Sequence, residues 1–487
     1  MTQSTPLLAR SNAVRWLFAA GLVFIPFDAI RGVGALGELG NELSFPFFAA
    51  AIALAMVSAV RSGENRLSAS LALRVGVAIL ALTIVSFVVN FGEIQSIVFR
   101  ERTGTNKFVT SLLVVLYGIA LAWLAEQVEP EEYTHRVARF ICWSVAICIF
   151  YIIVELAGRN GLMGGLFRTI DDLVHTRQAD VVNAWNGQVN EKVLYGWDER
   201  YRSVSFEPPA FGNFTGFAWP WVWYAAVKAK SRRTLRSWTL LIAFTLVIIV
   251  TASRTGLLML MVNCGLLALI AGLYARRGGH TEAAAAARLL VPVGLIGVGL
   301  IAALYIATNF QNIVVGVVAG ESVSNLSRLA MQTAAFKMFM AHPLFGVGLG
   351  QFGFHVTEFL PSWAFRSPEV GPMITYPLAP WPNVYSVYAR IGAELGMAGL
   401  IGWCVLWLGL AWKLAIRARH DRRDGDSVVT WHFPVVLNCI GVLVSGFTTD
   451  TFRTPMIWIA LGLGCGLLLR SRVAAEGRIS AAAVPAE

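Results

Sequence analysis

Residues 253–256, Ser-Arg-Thr-Gly, place a guanidinium group between two long apolar runs, where a charge is costly. Arg254 must therefore face water, a partner or an anion, and its planar fork of donors suits a diphosphate. The alternative is that Arg254 extends its side chain to lipid headgroups. Arg254 is the first candidate functional residue of the chain.

Two further candidates stand just before an apolar run that opens with paired prolines. Arg202 and Glu207 flank this start, and Pro208 and Pro209 suit the first turn of a helix. Glu207 could act as a general base toward a hydroxyl, or it could hold Arg202 or Arg254 in place. The simpler interpretation is a solvated carboxylate at a helix start, where the helix dipole favours it.

Polar residues also precede the apolar run that starts near 391. Arg390 and Glu394 are four residues apart and can pair on a helix, with Tyr385 and Tyr388 beside them. Glycines in the same stretch let another helix approach closely. Upstream, His342 opens the run His-Pro-Leu-Phe-Gly-Val-Gly-Leu-Gly, where the histidine is either a substrate contact or a capping and packing residue.

The composition excludes a water-soluble fold. Hydrophobic residues make up 56% of the 487 residues and charged ones 14%, and the mean hydropathy is +0.63. We therefore expect an all-α, polytopic membrane protein with a single membrane domain, 1–487. Apolar runs of roughly 20 residues, the length that crosses the hydrocarbon core, predict about twelve transmembrane helices, at 13–30, 43–60, 71–91, 108–125, 139–157, 209–228, 237–253, 255–274, 289–309, 391–413, 431–448 and 452–470.

The distribution of Lys and Arg predicts the orientation. They collect in alternate connections, such as 228–236 and 413–423, and basic loops of this kind stay in the cytoplasm. Both termini, including the tail 471–487, are then cytoplasmic, and two large loops, 158–208 and 309–390, lie outside. The net charge of +10 follows from this topology and does not indicate nucleic-acid binding.

The second large loop contains an amphipathic pattern at 324–340, which predicts a helix along the outer surface with Leu326, Leu329, Ala330 and Phe336 on its apolar side. Neither loop contains cysteine, and no His, Asp and Glu cluster stands out in them. We therefore predict no disulfide framework, no metal site and no cofactor.

Three motifs in this order, at 253–256, 342–348 and 394–399, with a large outer loop between them, resemble the O-antigen ligase and polymerase superfamily of bacterial envelope enzymes. The resemblance implies a site on the periplasmic face of the inner membrane. It also implies inverting glycan transfer from an undecaprenyl-diphosphate carrier, without a nucleotide sugar. The expected partners are the lipid-linked oligosaccharide donor and acceptor and the bilayer, and the resemblance leaves room for a chain-length regulator protein.

The resemblance assigns roles to the candidate residues. Arg254 matches the motif arginine and would stabilise the leaving diphosphate, with Arg202 and Arg328 added because of their positions in the outer loops. Glu207 would be the base. The acceptor side would be lined by Tyr385, Tyr388, Arg390 and Glu394.

One departure favours the polymerase branch. Ligases that attach finished glycan to a lipid A core carry a histidine at a fixed spacing before the two glycines that are here Gly396 and Gly399. That spacing falls on Tyr385 and Ser386, and a tyrosine with a pKa of about 10 is a poor base at neutral pH. We expect a polysaccharide polymerase, with an O-antigen ligase as the alternative and a lipid-linked glycan flippase ranked lower.

Overall fold

The structure, a computed structural model, describes residues 11–32, 39–61, 70–128, 132–177, 200–230, 232–275, 323–367, 369–376, 381–421 and 432–482. These residues are helical apart from loops and one antiparallel hairpin, β1 (Val98–Phe99) and β2 (Arg102–Thr103). The predicted all-α class is confirmed for this part of the chain.

The helices, in chain order, are α1 (Asn12–Val23), α2 (Phe45–Arg61), α3 (Leu71–Val89), α4 (Phe91–Ser96), α5 (Gly104–Glu126), α6 (Glu132–Arg159), α7 (Gly165–Val174), α8 (Pro208–Lys228), α9 (Arg232–Val250), α10 (Arg254–Ala275), α11 (Val323–Ala341), α12 (Phe352–Phe359), α13 (Val370–Thr375), α14 (Val387–Asp421), α15 (His432–Ser445) and α16 (Pro455–Ala482).

Five of these helices are long and apolar enough to cross a membrane, judged by length and composition: α3, α5, α6, α9 and α14. Shorter apolar helices include α1, α2 and α15. Helices occupy eleven of the twelve predicted spans, and the twelfth, 289–309, lies outside the described residues. The number of membrane crossings and the cytoplasmic position of both termini stay predictions.

Helix α8 lies at the centre of the bundle, against α6, α9, α10 and α15. Its glycines set how closely α10 approaches. A Cβ atom on Gly212 would lie 2.6 Å from the backbone nitrogen of Gly256, and one on Gly216 would lie 2.4 Å from Met259 Cε. Because only glycine fits at these contacts, the starts of α8 and α10 are held side by side.

Helix α14 is interrupted at Gly396, whose φ of 67° and ψ of −162° are not helical. The glycine-rich segment 342–350 fills the interruption. The amides of Val347 and Gly348 each donate at 2.9 Å to carbonyls just before the break, and the amide of Met397 donates at 2.8 Å to a carbonyl of the segment. The backbone groups freed by the break are therefore satisfied by protein, as irregular backbone near a bilayer requires.

Helix α3 holds the same segment from its other side. Ser86 Oγ donates to the carbonyl oxygen of Phe345 at 2.7 Å, and Asn90 Nδ2 donates to that of Gly346 at 3.0 Å. The three glycines of the segment all have positive φ, which side chains rarely tolerate. The motif thus has a structural role that joins α3, α11 and α14.

Helix α11 confirms the predicted helix at 324–340. Ala330 is buried, whereas Leu329 and Phe336 are 47% and 61% exposed, and their contact with the outer surface of the membrane stays a prediction. The buried face consists of small and flexible residues, which let the helix approach its neighbours closely: Ala330, Met331, Ala334, Ala335 and Met338.

Helix α7 lies in the first large loop, part of which, 178–199, is outside the described residues. Its exposed face carries Leu166 and Leu173, and its other face carries Asp171. The chain beyond α7 passes His175 and returns to the bundle. This helix and the residues after it therefore place Asp171 and Arg177 at the end of the bundle where α8 begins.

Replacing Gly396 with Ala should destabilise the fold strongly, because a Cβ atom there would lie 2.4 Å from the Leu344 backbone and φ is positive. The backbone strain alone costs on the order of 1–3 kcal/mol, because the combination of φ and ψ at Gly396 is adopted almost only by glycine. Thermal unfolding in detergent measures the effect. The control is Gly402→Ala in the same helix, where a Cβ atom meets nothing within 4 Å; equal melting of the two variants would contradict the role given to the break.

Candidate functional site

The site lies where several helices begin or end at one end of the bundle. The connections between α1 and α2, α7 and α8, and α15 and α16 meet there, beside the start of α11. They bring together three carboxyl groups and three guanidinium groups whose charges influence one another: Asp28, Glu42, Arg177, Glu207, Arg328 and Arg453.

Asp28 organises the backbone before α8. Its Oδ1 accepts a hydrogen bond from the amide of Phe206 at 2.7 Å, and its carbonyl oxygen accepts one from Arg177 Nη1 at 3.3 Å. The Arg177 guanidinium lies over the Phe206 ring, 4.6 Å from its centroid. These contacts fix the backbone just before Glu207, and so they hold Glu207 within the cluster.

Glu207 is the N-cap residue of α8, but its side chain makes no capping hydrogen bond. Solvent reaches the side chain, yet the surrounding protein removes part of its hydration. This burial raises the pKa of Glu207 above its ordinary value, opposed most strongly by the charge of Arg328. A carboxyl group that is accessible, uncommitted to the helix and raised in pKa is suited to accept a proton near neutrality.

Arg254 is the first residue of α10 and is tied to α11. Its Nη1 donates to Asn325 Oδ1 at 2.8 Å. Arg328 follows Asn325 by three residues on α11, so the two lie on one helix face. The amide of Gly256 donates to Ser253 Oγ at 3.3 Å, which caps α10. The predicted residues Arg254, Arg328 and Glu207 are therefore brought to one region of the protein.

Tyr385 joins this region through Arg328, whose guanidinium carbon lies 5.2 Å from the centroid of the Tyr385 ring. The backbone at Tyr385 has a φ of 60°, unusual for a residue with a side chain. Asp450 Oδ2 stabilises this turn by accepting the amides of Val384 at 2.7 Å and Tyr385 at 3.2 Å. Burial raises the pKa of the Tyr385 phenol above its ordinary value.

The predicted pair of Arg390 and Glu394 is confirmed, with Nε and Oε2 3.2 Å apart. Arg390 Nη1 also donates to the carbonyl oxygen of Asp450 at 2.7 Å. Tyr388 Oη donates to the carbonyl oxygen of Leu443 at 2.5 Å. These side chains hold the start of α14 against the end of α15, and so they position Tyr385, which lies two residues before α14.

Arg202 lies in a neighbouring buried network. Its Nη2 is 3.0 Å from Asp171 Oδ2, and Asp171 also accepts from Tyr151 Oη at 2.7 Å. His175 Nδ1 lies 2.9 Å from the same carboxylate. The contacts given by Arg202 join α6, α7 and the start of α8, and its predicted role toward a diphosphate stays a prediction.

His342 is half-buried at the end of α11 and lies close enough to influence His355. Burial lowers the pKa of His355, Glu93 and Glu358 oppose this, and His342 adds to the lowering. The substrate contact predicted for His342 stays a prediction.

Sequence reasoning missed four residues of the cluster: Asp28, Glu42, Arg177 and Arg453. Arg453 carries the same signal as Arg254, a lone arginine between two apolar runs. For Arg177 and Glu42, which lie in longer connections, the sequence has no comparable signal. No group of three His, Cys, Asp or Glu residues in the described ranges is placed to hold a metal ion.

The helices and the charge cluster at their ends define the class: a multi-pass membrane protein with a polar site at one end of its bundle. Residues 239–404 match a family model described as "O-Antigen ligase". The match confirms the resemblance to the O-antigen ligase and polymerase superfamily. The match implies an enzyme of the glycan-transferring kind and does not separate ligases from polymerases. No curated protein matches the sequence significantly.

Replacing Asp171 with Asn should lower the free energy of unfolding at neutral pH by about 1.5–3 kcal/mol, the contribution of a hydrogen bond between charged groups, because Arg202 and His175 lose the carboxylate that lies within 3.0 Å of them. Although burial opposes it, contacts with His175, Arg202 and Tyr151 lower the pKa of Asp171 from 3.8 to about 2. The native state then binds fewer protons than the unfolded state between these values. The stabilisation is therefore complete above about pH 4 and is lost as the pH falls toward 2.

Thermal unfolding in detergent from acid to neutral pH checks this effect. Asp172→Asn is the control, because Asp172 is the exposed neighbour on the same helix. A mutant at Asp171 that melts like the control at neutral pH would show that the network does not stabilise the fold.

Proposed function

We propose that the protein is an inverting polysaccharide polymerase that joins undecaprenyl-diphosphate-linked repeat units on the periplasmic face of the inner membrane. The growing chain on its carrier is the donor, and the non-reducing end of a new carrier-linked unit is the acceptor. The family match at 239–404 supports glycan transfer. The grouping of a carboxyl base with arginines at one end of the bundle supports the mechanism.

The observation that carries the proposal is the accessible Glu207 carboxylate with Arg328 as its strongest charged neighbour. Arg254, the first residue of α10, bonds to Asn325, which lies three residues before Arg328 on α11. Glu207 takes the proton of the acceptor hydroxyl, whose oxygen attacks the anomeric carbon of the donor. The bond from that carbon to the diphosphate breaks with inversion, and the charge gained by the diphosphate falls on the arginines.

The choice of base follows from comparing Glu207 with Tyr385. Burial raises the pKa of both groups. For a carboxyl group this moves the pKa toward neutrality, where a general base is most effective. For a phenol it moves the pKa further from neutrality, so Tyr385 is the weaker base. Tyr385 instead offers its ring to Arg328, which orients the guanidinium.

On the acceptor side, the contacts of Tyr388, Arg390 and Glu394 support positioning roles. They hold the turn at Tyr385, and so they also position the Tyr385 ring over which the Arg328 guanidinium lies. Arg202 supports the segment before Glu207 in the same way, through Asp171. A chain-length regulator stays a predicted partner.

Replacing Glu207 with Gln should lower kcat by about 10²–10⁴-fold, the usual contribution of a general base, while Glu207→Asp should retain part of the activity. In the wild type the rate should rise with pH through the raised pKa of Glu207, because only the carboxylate accepts the proton. Chain elongation of lipid-linked repeat units by membrane extracts measures both effects.

Glu358→Gln is the control, because Glu358 is an exposed carboxylate beside His355. If Glu207→Gln elongates chains at the parental rate and keeps the rise with pH, the base lies elsewhere.

The alternative is an O-antigen ligase, favoured by the description of the matching family model. Deletion of the gene separates the two. Loss of a polymerase leaves single repeat units on the acceptor, whereas loss of a ligase leaves long chains on the carrier lipid.

We expect that deletion leaves single units. We also expect that Arg254→Ala, expressed at the normal level, fails to restore long chains, because the leaving diphosphate lacks its cation. Electrophoresis of the extracted glycans gives the answer; long chains on the carrier would overturn the polymerase.

A further inference from the structure

The contact between Glu42 and Arg453 joins two connections that are distant in sequence. Arg453 Nε lies 3.0 Å from Glu42 Oε1, and both side chains are largely buried, with 19% and 8% of their surface exposed. Glu42 precedes α2 and Arg453 precedes α16. Both residues lie outside 239–404, the part of the chain that the family model matches.

The groups that act on Glu42 come from several elements. They are Arg453, Asp28 and Arg177, and the phenol of Tyr117 lies beside it on α5. Burial raises the pKa of Glu42 to about 7, although Arg453 opposes the shift. If Arg453 were drawn away, the opposing influence would weaken and Glu42 would be protonated at neutral pH.

Charge balance shows what an arriving anion does. The cluster holds as many carboxyl groups as guanidinium groups, namely Asp28, Glu42 and Glu207 against Arg177, Arg328 and Arg453. An anion that engages the arginines leaves carboxylates without counter-charge in a poorly hydrated place. An unpaired buried charge is strongly disfavoured, so one carboxylate is neutralised instead.

Glu42 is the carboxylate best placed for this neutralisation. Asp28 keeps the hydrogen bond from the Phe206 amide when the arginines move. Among the charged groups, Glu207 is influenced most strongly by Arg328, whose charge stays in place when an anion engages Arg177 and Arg453. Glu42 is 7% exposed and is held by Arg453, the residue that an anion would attract.

We propose that a phosphoryl anion bound at Arg453 and Arg177 draws Arg453 away from Glu42, and that Glu42 then takes up one proton from the solvent. The identity of the anion as a diphosphate diester rests on the proposed function. Arg177 and Arg453 thereby add to the diphosphate site, and Glu42 is a positioning residue that holds Arg453 when the site is empty. With one proton taken up per anion, affinity falls by up to about tenfold per pH unit above neutrality.

Titration calorimetry on the full-length protein in detergent tests the proposal. The probe is dimethyl diphosphate, the P1,P2-diester, whose two negative charges do not titrate near neutrality. Measurements at pH 8 in buffers of different ionisation enthalpy give the number of protons taken up, because with a pKa of about 7 most of the Glu42 carboxyl is ionised at pH 8 before the anion binds. We expect uptake approaching one in the wild type, and binding that weakens as the pH rises from 7 to 8.

Glu42→Gln should abolish most of the proton uptake and most of the pH dependence of binding. Glu93→Gln is the control, because Glu93 is an exposed carboxylate beside His355, and it should behave like the wild type. If Glu42→Gln does not fold, the infrared difference spectrum of the wild type replaces it, and a new carboxylic acid carbonyl band should appear when the probe binds.

Three results would overturn the proposal: no saturable binding, binding without proton uptake or without the new carbonyl band, or unchanged uptake in Glu42→Gln. Because the readout is binding, its outcome is separate from that of the proposed function. A protein that takes up the proton but does not elongate chains would support this inference and contradict the polymerase.

Discussion

Charged groups at the edge of an apolar bundle have to be paired or hydrated, and this constraint shapes the end of the protein where the site lies. The connections before α2, α8 and α16 meet through the contact of Arg453 with Glu42 and through hydrogen bonds that Asp28 accepts from Arg177 and from the Phe206 amide. Each bond joins residues far apart in the chain. The same contacts that keep these charges tolerable therefore also hold the helix ends together and concentrate arginines in one place.

The interruption of α14 is the second element on which the site depends. Segment 342–350 satisfies the backbone freed at Gly396, and α3 holds the segment in turn. The short first part of α14 can then turn away from the long second part. It carries Arg390, which bonds to Asp450, and Asp450 sets the turn at Tyr385. The glycine motif thus supports the turn at Tyr385, whose ring contacts Arg328.

The parts of the site that could be predicted are those with a local physical cause. Arg254 stands out because a charge next to apolar runs is costly, and Arg390 and Glu394 because residues four apart on a helix are neighbours. The pairing of Glu42 with Arg453 spans most of the chain and has no local cause. The buried face of α11 also depends on tertiary packing, because its small residues and methionines contact the neighbouring helices while Leu329 and Phe336 stay exposed.

The sequence by itself determined the helical class, the places of most apolar helices, the family motifs and the candidate residues at the start of α8 and α10. Hydrophobic run length and the cost of charge act locally, so they can be read without the fold. Only the tertiary structure decided that Arg202 joins a buried network with Asp171, whereas Glu207 faces Arg328. Pairing of this kind depends on which helix ends meet, and that is set by the packing of the whole bundle.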